Sequence, residues 1–224
     1  MLLKISLILF MIGCGSNGNN SDQKGQSKKS KEIKQDTIEE AIREFDSQLF
    51  SGSSDNDLKK LQNLIEKVEI FELDDSYSKT GKYNLLTSSL YYKNIKIVNV
   101  LLDILSKEKD KEKVSKFLNY QIKDSGDRAI HLIILLKNKS SMEKLTERLI
   151  ELGADINSKS NNGETPLHTA VTEVEKDVVT LLLNKGADRN IKNDDNLTPL
   201  EQAKKASLNG YGDYKDIIEL LEKN

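Results

Sequence analysis

Along most of this chain the apolar residues recur at intervals of three and four, the spacing of a helix with one buried face. Val178, Leu181 and Leu182 make such a stripe, and Leu61, Leu64, Ile65 and Val68 make another. Ile97-Val98 with Leu101-Leu102, a helix over about residues 142–152, and Ile217-Ile218 with Leu220-Leu221 continue the series. Two stretches break the pattern. Residues 1–12, MLLKISLILFMI, carry one early lysine and then an unbroken apolar run, whereas residues 15–35 contain Ile33 as their only large apolar side chain.

The helical blocks repeat. Asn162-Gly163-Glu164-Thr165-Pro166-Leu167-His168-Thr169-Ala170 returns as Asp195-Asn196-Leu197-Thr198-Pro199-Leu200-Glu201-Gln202-Ala203, and Thr165 to Thr198 is 33 residues. Gly153-Ala154-Asp155 returns as Gly186-Ala187-Asp188, again 33 residues on. Each landmark has a local physical role. Pro166 suits a first helical turn, where its missing N–H costs nothing, and Thr165 beside it can cap. Leu167 and Ala170 share a face, the alanine allowing close packing of a neighbouring helix. Gly186 follows the second helix, where a left-handed residue ends it cheaply.

This pattern resembles the ankyrin repeat, G-x-T-P-L-H-x-A followed by a second helix with paired leucines and then G-A-D-x-N. Residues 161–193 carry nearly all of it, including Thr165-Pro166-Leu167-His168, Leu181-Leu182-Leu183, Gly186-Ala187-Asp188 and Asn190. Gly126-Asp127-Arg128-Ala129-Ile130-His131 marks a preceding unit, whose four extra residues are expected to lie in a longer loop over residues 137–141. Gly81-Lys82-Tyr83-Asn84-Leu85-Leu86 marks a more divergent one. The last unit replaces the histidine with Glu201 and is stretched by Asn209-Gly210-Tyr211-Gly212.

The fold expected is therefore all-α: an ankyrin-repeat solenoid of about four helix-turn-helix units, over residues 78–122, 123–157, 158–190 and 191–224. One hairpin of this kind cannot bury its apolar face alone, so neighbours must stack. Residues 36–73 predict two helices, 37–50 and 58–71, joined by Ser51-Gly52-Ser53-Ser54. Asp36 with Glu39 reads as a capping box. The pair is expected to form an N-terminal cap, with a divergent fifth repeat as the alternative.

The apolar run at the N-terminus is too short for a mature membrane span and has the length of a signal-peptide core. Cys14 is the sole cysteine and follows a small residue directly after that run. Met11-Ile12-Gly13-Cys14 resembles the lipobox of bacterial lipoproteins, with Met11 in place of the usual leucine. The resemblance implies removal of residues 1–13, lipidation of Cys14 and an extracytoplasmic protein held to a membrane. Gly15 in place of the aspartate that retains lipoproteins at an inner membrane leans weakly toward an outer one. Residues 14–35 then read as a flexible tether, since they cannot bury enough surface to offset their ordering entropy. As a coil it would reach roughly 25 Å.

Composition narrows the chemistry. With 34 Lys and Arg against 36 Asp and Glu, the formal charge is −2, so no global field draws nucleic acid. A lone cysteine forms no intrachain disulfide, and His131 and His168 are too few to build a zinc site alone. Both histidines occupy one repeat position, which marks them as structural, tying adjacent turns, and not catalytic. Thr80-Gly81-Lys82 is no phosphate loop, because Ser76 stands where that motif needs glycine. The alternating charges of residues 107–113 read as an exposed helical extension. Tyr91-Tyr92 and Tyr211 with Tyr214 fit either interface aromatics or cap packing.

The function implied by the resemblance is protein–protein interaction, with no catalytic residue, metal, cofactor, small-molecule substrate or nucleic acid. The partner is an unidentified protein, and the bilayer is contacted through acylated Cys14. A structural envelope lipoprotein without a dedicated partner is the main alternative, and an enzyme with a cryptic site a remote one. In ankyrin arrays partners meet the concave face of turn tips and first helices. Carried onto this chain, the tips contribute Asp127, Lys159, Asn161, Asn162, Lys192 and Asp194, and the first helices Thr169, Thr172, Glu173, Gln202 and Lys205.

Overall fold

The computed structural model describes Lys59, residues 83–136 and residues 138–223, all within one compact unit, Ser54–Asn224. Nine helices lie among the described residues, and no strand: α1 Leu85–Tyr91, α2 Ile95–Lys107, α3 Lys111–Leu118, α4 Ala129–Ile134, α5 Lys139–Glu151, α6 Pro166–Thr172, α7 Lys176–Asn184, α8 Pro199–Leu208 and α9 Lys215–Glu222. Cys14, the apolar leader, the tether and the expected helices over 37–50 and 58–71 fall outside the described residues, as do Gly81 and Lys82.

The helices stack in two layers. First helices pack in the order α1, α4, α6, α8, second helices in the order α2, α5, α7, α9, and each first helix pairs with the second helix that follows it. The order follows from the capping chemistry. Asn84, Thr165 and Thr198 each accept a hydrogen bond from the backbone N–H three residues on, at Thr87, His168 and Glu201. The side chain at that third position returns a bond to the cap's own N–H, satisfying two groups that a helix start leaves unpaired. Arg128 and His131 hold the same places in α4, where the histidine ring accepts from the N–H of Arg128 at 3.2 Å.

These four caps fix a common register. Counting from the cap, positions one, two, five and six are apolar and buried in the first three units: Leu85, Leu86 and Leu90, then Ala129, Ile130, Ile133 and Ile134, then Pro166, Leu167, Ala170 and Val171; Ser89, at position five of the first unit, is buried as well. In the last unit position six is Lys204, which is exposed and pairs with Glu222 at 2.6 Å. Among the described residues no further unit covers that face, and the cation there is solvated.

The observed register fixes how the divergent first unit aligns with the others. Asn84 takes the place of Thr165, its side-chain oxygen accepting from the N–H of Thr87 at 2.9 Å. The expected loop over residues 137–141 is corrected. Helix α5 begins at Lys139, capped by Asn138, and has 13 residues where α7 has 9. The four extra residues add one helical turn, close to the 3.6 residues that keep side chains in phase.

Two further differences concern burial. The stripe of α7 is Val178, Val179 and Leu182, all fully buried, with Leu181 only partly so. The charged run over 107–113 is not one extended helix. Helix α2 ends at Lys107, Asp110 caps α3 through the N–H of Lys113, and α3 buries Val114, Phe117 and Leu118 between the first and second units. The alternating charges thus mark a break and a restart, with the apolar residues of the new helix lying just beyond them.

Candidate functional site

Between successive units the chain forms a short finger closed by one backbone hydrogen bond. The closures are Ile122 N–H to Asp127 O at 2.9 Å, Ser160 N–H to Glu164 O at 2.9 Å, and Asn193 N–H to Leu197 O at 3.0 Å. Neighbouring tips bond to each other, Asn161 N–H to Ser125 O at 2.9 Å and Asp194 N–H to Asn162 O at 3.0 Å. Gly126 and Gly163 sit in these tips with φ of +73° and +69°. A Cβ on Gly126 would collide with Asn161, and one on Gly163 with Asp194, whose backbone nitrogen is 2.9 Å away. The third finger has no further finger beyond it among the described residues. There Asn196 adopts φ 60° in the same place, a conformation asparagine tolerates.

The histidines stitch each first helix to the following finger. The buried ring of His131 donates from Nε2 to the carbonyl of Glu164 at 3.2 Å, and His168 donates to that of Leu197 at 3.0 Å. His168 Nδ1 also accepts from the N–H of Thr165 at 3.2 Å and contacts its hydroxyl at 2.8 Å. Burial pushes both imidazoles below their ordinary range, opposed at His131 by the Asp127 charge and at His168 by its bond to Leu197. A ring with both nitrogens committed to backbone and cap is a strut, which is the role the sequence assigned. In the first unit Asn84 does this job, donating from Nδ2 to the carbonyl of Phe117 at 2.8 Å.

Asparagines form a second ladder at the other turns. Asn119 Oδ1 accepts from the N–H of Asp155 at 2.7 Å while its Nδ2 donates to Gly153 O at 3.0 Å. Asn157 Oδ1 accepts from Asp188 N–H at 2.9 Å. Cross-unit ion pairs line the second-helix layer: Arg148 with Asp103 at 2.5 Å, Lys185 with Glu147 at 2.8 Å, and Lys176 with Asp216 at 2.6 Å.

The eleven residues assigned to partner contact lie on the fingers and first helices, but several are spent on the stack. Asn161 Nδ2 donates to Asp124 O at 2.9 Å, and Lys159 Nζ donates to Lys192 O at 2.9 Å. Gln202 donates to the Thr172 hydroxyl at 2.5 Å and accepts from Asn193 at 3.2 Å, while Thr169 donates back to Thr165 O at 3.4 Å. Asn162 and Asp194 join the tip ladder through their backbones, and both side chains are exposed. Asp127 is partly buried beside His131. Glu173, Lys192 and Lys205 are exposed and make no side-chain hydrogen bond or ion pair among the described residues. Glu164, half-buried behind the second finger, has its carboxyl pushed upward by that burial.

Sequence reasoning offered Tyr91 as an interface aromatic but missed Leu135, and it did not see that the two hold one repeat position. The seventh residue after each cap projects from its first helix, and in order these are Tyr91, Leu135, Thr172 and Lys205. Tyr91 is 57% exposed and Leu135 40%, although both are large and apolar. The signal was present in the sequence, but reading it requires the register that the caps set. Of the aromatics offered as interface candidates, Tyr92 and Tyr211 are exposed as well, whereas Tyr214 is buried, its hydroxyl 3.5 Å from Thr172 O.

Among the described residues no group of three or more His, Cys, Asp and Glu is placed to hold a metal, and no helix is long and apolar enough to cross a membrane. A family model described as ankyrin repeats, three copies, matches residues 49–193 and 131–224. Comparison with curated proteins finds no match. The stacked hairpins, the histidine struts, the paired fingers and a family match running from residue 49 to residue 224 together place this chain in the ankyrin-repeat family.

Proposed function

We propose that this chain is a membrane-anchored, extracytoplasmic ankyrin-repeat protein that binds another protein through the face formed by its fingers and first helices. The family is an interaction scaffold, and a protein partner follows from it in general. The observation that carries the reading to a particular face is the projecting row. Positions one, two, five and six after the cap are used for packing in the first three units, the third position serves the cap, and the seventh is exposed in all four. No chemistry competes with binding at the histidines, whose ring nitrogens are committed to backbone and cap.

The anchor rests on the sequence: an apolar run over residues 1–12, then Gly13 and Cys14, then a polar stretch poor in apolar side chains. Two or more acyl chains on Cys14 give durable attachment, where a single chain is marginal. Replacing Cys14→Ala is expected to move the protein from the membrane fraction to the soluble fraction and to abolish uptake of labelled fatty acid. A wild-type chain that takes up no label, together with a C14A chain that still sediments with membranes, would refute the anchor and leave the binding reading standing.

A further inference from the structure

The projecting row changes character along the array. In the first two units it is apolar, Tyr91 and Leu135, and in the last two it is polar, Thr172 and Lys205. The residue next to Thr172 is Glu173, also exposed. Of the five large apolar side chains that stand out of the surface among the described residues, Tyr91, Tyr92 and Leu135 fall at the seventh and eighth positions of the first two units. Leu208 and Tyr211 lie beyond the repeat register, at and after the end of the longer α8.

The apolar end is built to hold a shape. The ring of Tyr91 lies 5.3 Å from that of Tyr83 and 5.4 Å from that of Tyr92, the latter edge-on. Packing of this kind restrains the ring before anything binds, which lowers the ordering cost of using it as a contact. The polar end is different. On the second helices Lys176 and Lys185 have acidic partners, and Lys204 of α8 pairs with Glu222 of α9, but Lys205, adjacent in sequence to Lys204, has none among the described residues. Glu173 likewise has none. Thus the face presents, in order, an apolar patch, an uncompensated anion and an uncompensated cation.

We infer that the partner presents to this face a polypeptide segment with a large apolar side chain for Tyr91 and Leu135, then a basic residue for Glu173, then an acidic residue for Lys205. The inference rests on the reading of the array as a binding module and adds the chemistry and order of what it binds. The apolar contact supplies the affinity, because aromatic and aliphatic anchors dominate interfaces, and the two charges set direction and register.

The test is to pan a phage-displayed library of random peptides against the full chain. Enriched peptides are expected to share the order apolar, basic, acidic, and to lose about tenfold or more in affinity on Tyr91→Ser or Leu135→Ser. Glu173→Lys and Lys205→Glu are expected to shift enrichment to an acidic and to a basic residue at the corresponding positions. Thermal melts of each variant confirm that the fold is kept, and Leu135→Gln replaces Leu135→Ser if the latter melts early. Peptides that bind but are indifferent to all four substitutions overturn this inference and leave the binding function intact. A library from which nothing is enriched counts against both.

Discussion

His168 and Leu197 lie 29 residues apart in the chain and 3.0 Å apart in space, joined by the bond from imidazole Nε2 to the leucine carbonyl. One residue type thereby closes a helix start and holds the next finger. The replacement of this histidine by Glu201 in the last unit follows directly. Glu201 still accepts from the N–H of Thr198, at 2.7 Å, and among the described residues no later finger lies within its reach.

Replacement of His168 by alanine is therefore expected to destabilise the array by about 2 kcal/mol or more, leaving a carbonyl and an N–H unpaired in the interior. Glu201→Ala, at an exposed site where Thr198 still caps the helix and water can replace the lost acceptor, is expected to cost clearly less. Urea midpoints of the two variants measured side by side decide it. Equal losses would mean that the cross-unit bond contributes nothing beyond capping.

Glycine substitutions separate backbone strain from crowding. Gly163 and Gly186 both have positive φ, +69° and +90°, so alanine is strained at each. Only Gly163 faces a neighbour, since nothing lies within 4 Å of a Cβ on Gly186. Gly186→Ala should cost about 1 kcal/mol, and Gly163→Ala at least that plus the displacement of the third finger. Amide exchange should show the extra loss at Asp194 N–H, the bond that displacement breaks. Unchanged protection there would contradict the collision.

Stability should fall on mild acidification. Both imidazoles are held below their ordinary value of 6.5 when folded, so the unfolded chain binds protons that the folded chain excludes. Stability is thus full above about pH 6.5 and declines as pH drops from there toward the lowered folded values. Glu164 acts in the opposite sense, because its raised pKa lets the folded state take up a proton more readily above 4.5. Two histidines oppose one half-buried carboxyl, and the urea midpoint at pH 5.5 is expected to lie below that at pH 7.5. In His168→Gln the difference should shrink. A midpoint that rises on acidification would show that Glu164 dominates.

The repeat was legible where side chains act locally. Thr165, Pro166 and His168 do their work within one helical turn, so their spacing reads the same in sequence and in structure. The first unit was legible only as a divergent repeat, because no Thr-Pro marks its start, which is set by the reach of Asn84. The extra turn of α5 was hidden because residues 137–141 are polar, and polar residues suit an exposed helix start as well as a loop. The contrast between Tyr91 and Lys205 was hidden for a different reason. It is a property of alignment across units, invisible in any single stretch.

The end of the array bears on how its length is kept. Asn196 stands where Gly126 and Gly163 make room for another finger, Glu201 where His131 and His168 reach toward one, and Lys204 where Leu90, Ile134 and Val171 pack. Each of the three differences disfavours the stacking of one more unit on that side, and they act in the same direction. A further unit grafted there would need Asn196→Gly, Glu201→His and Lys204→Val at once.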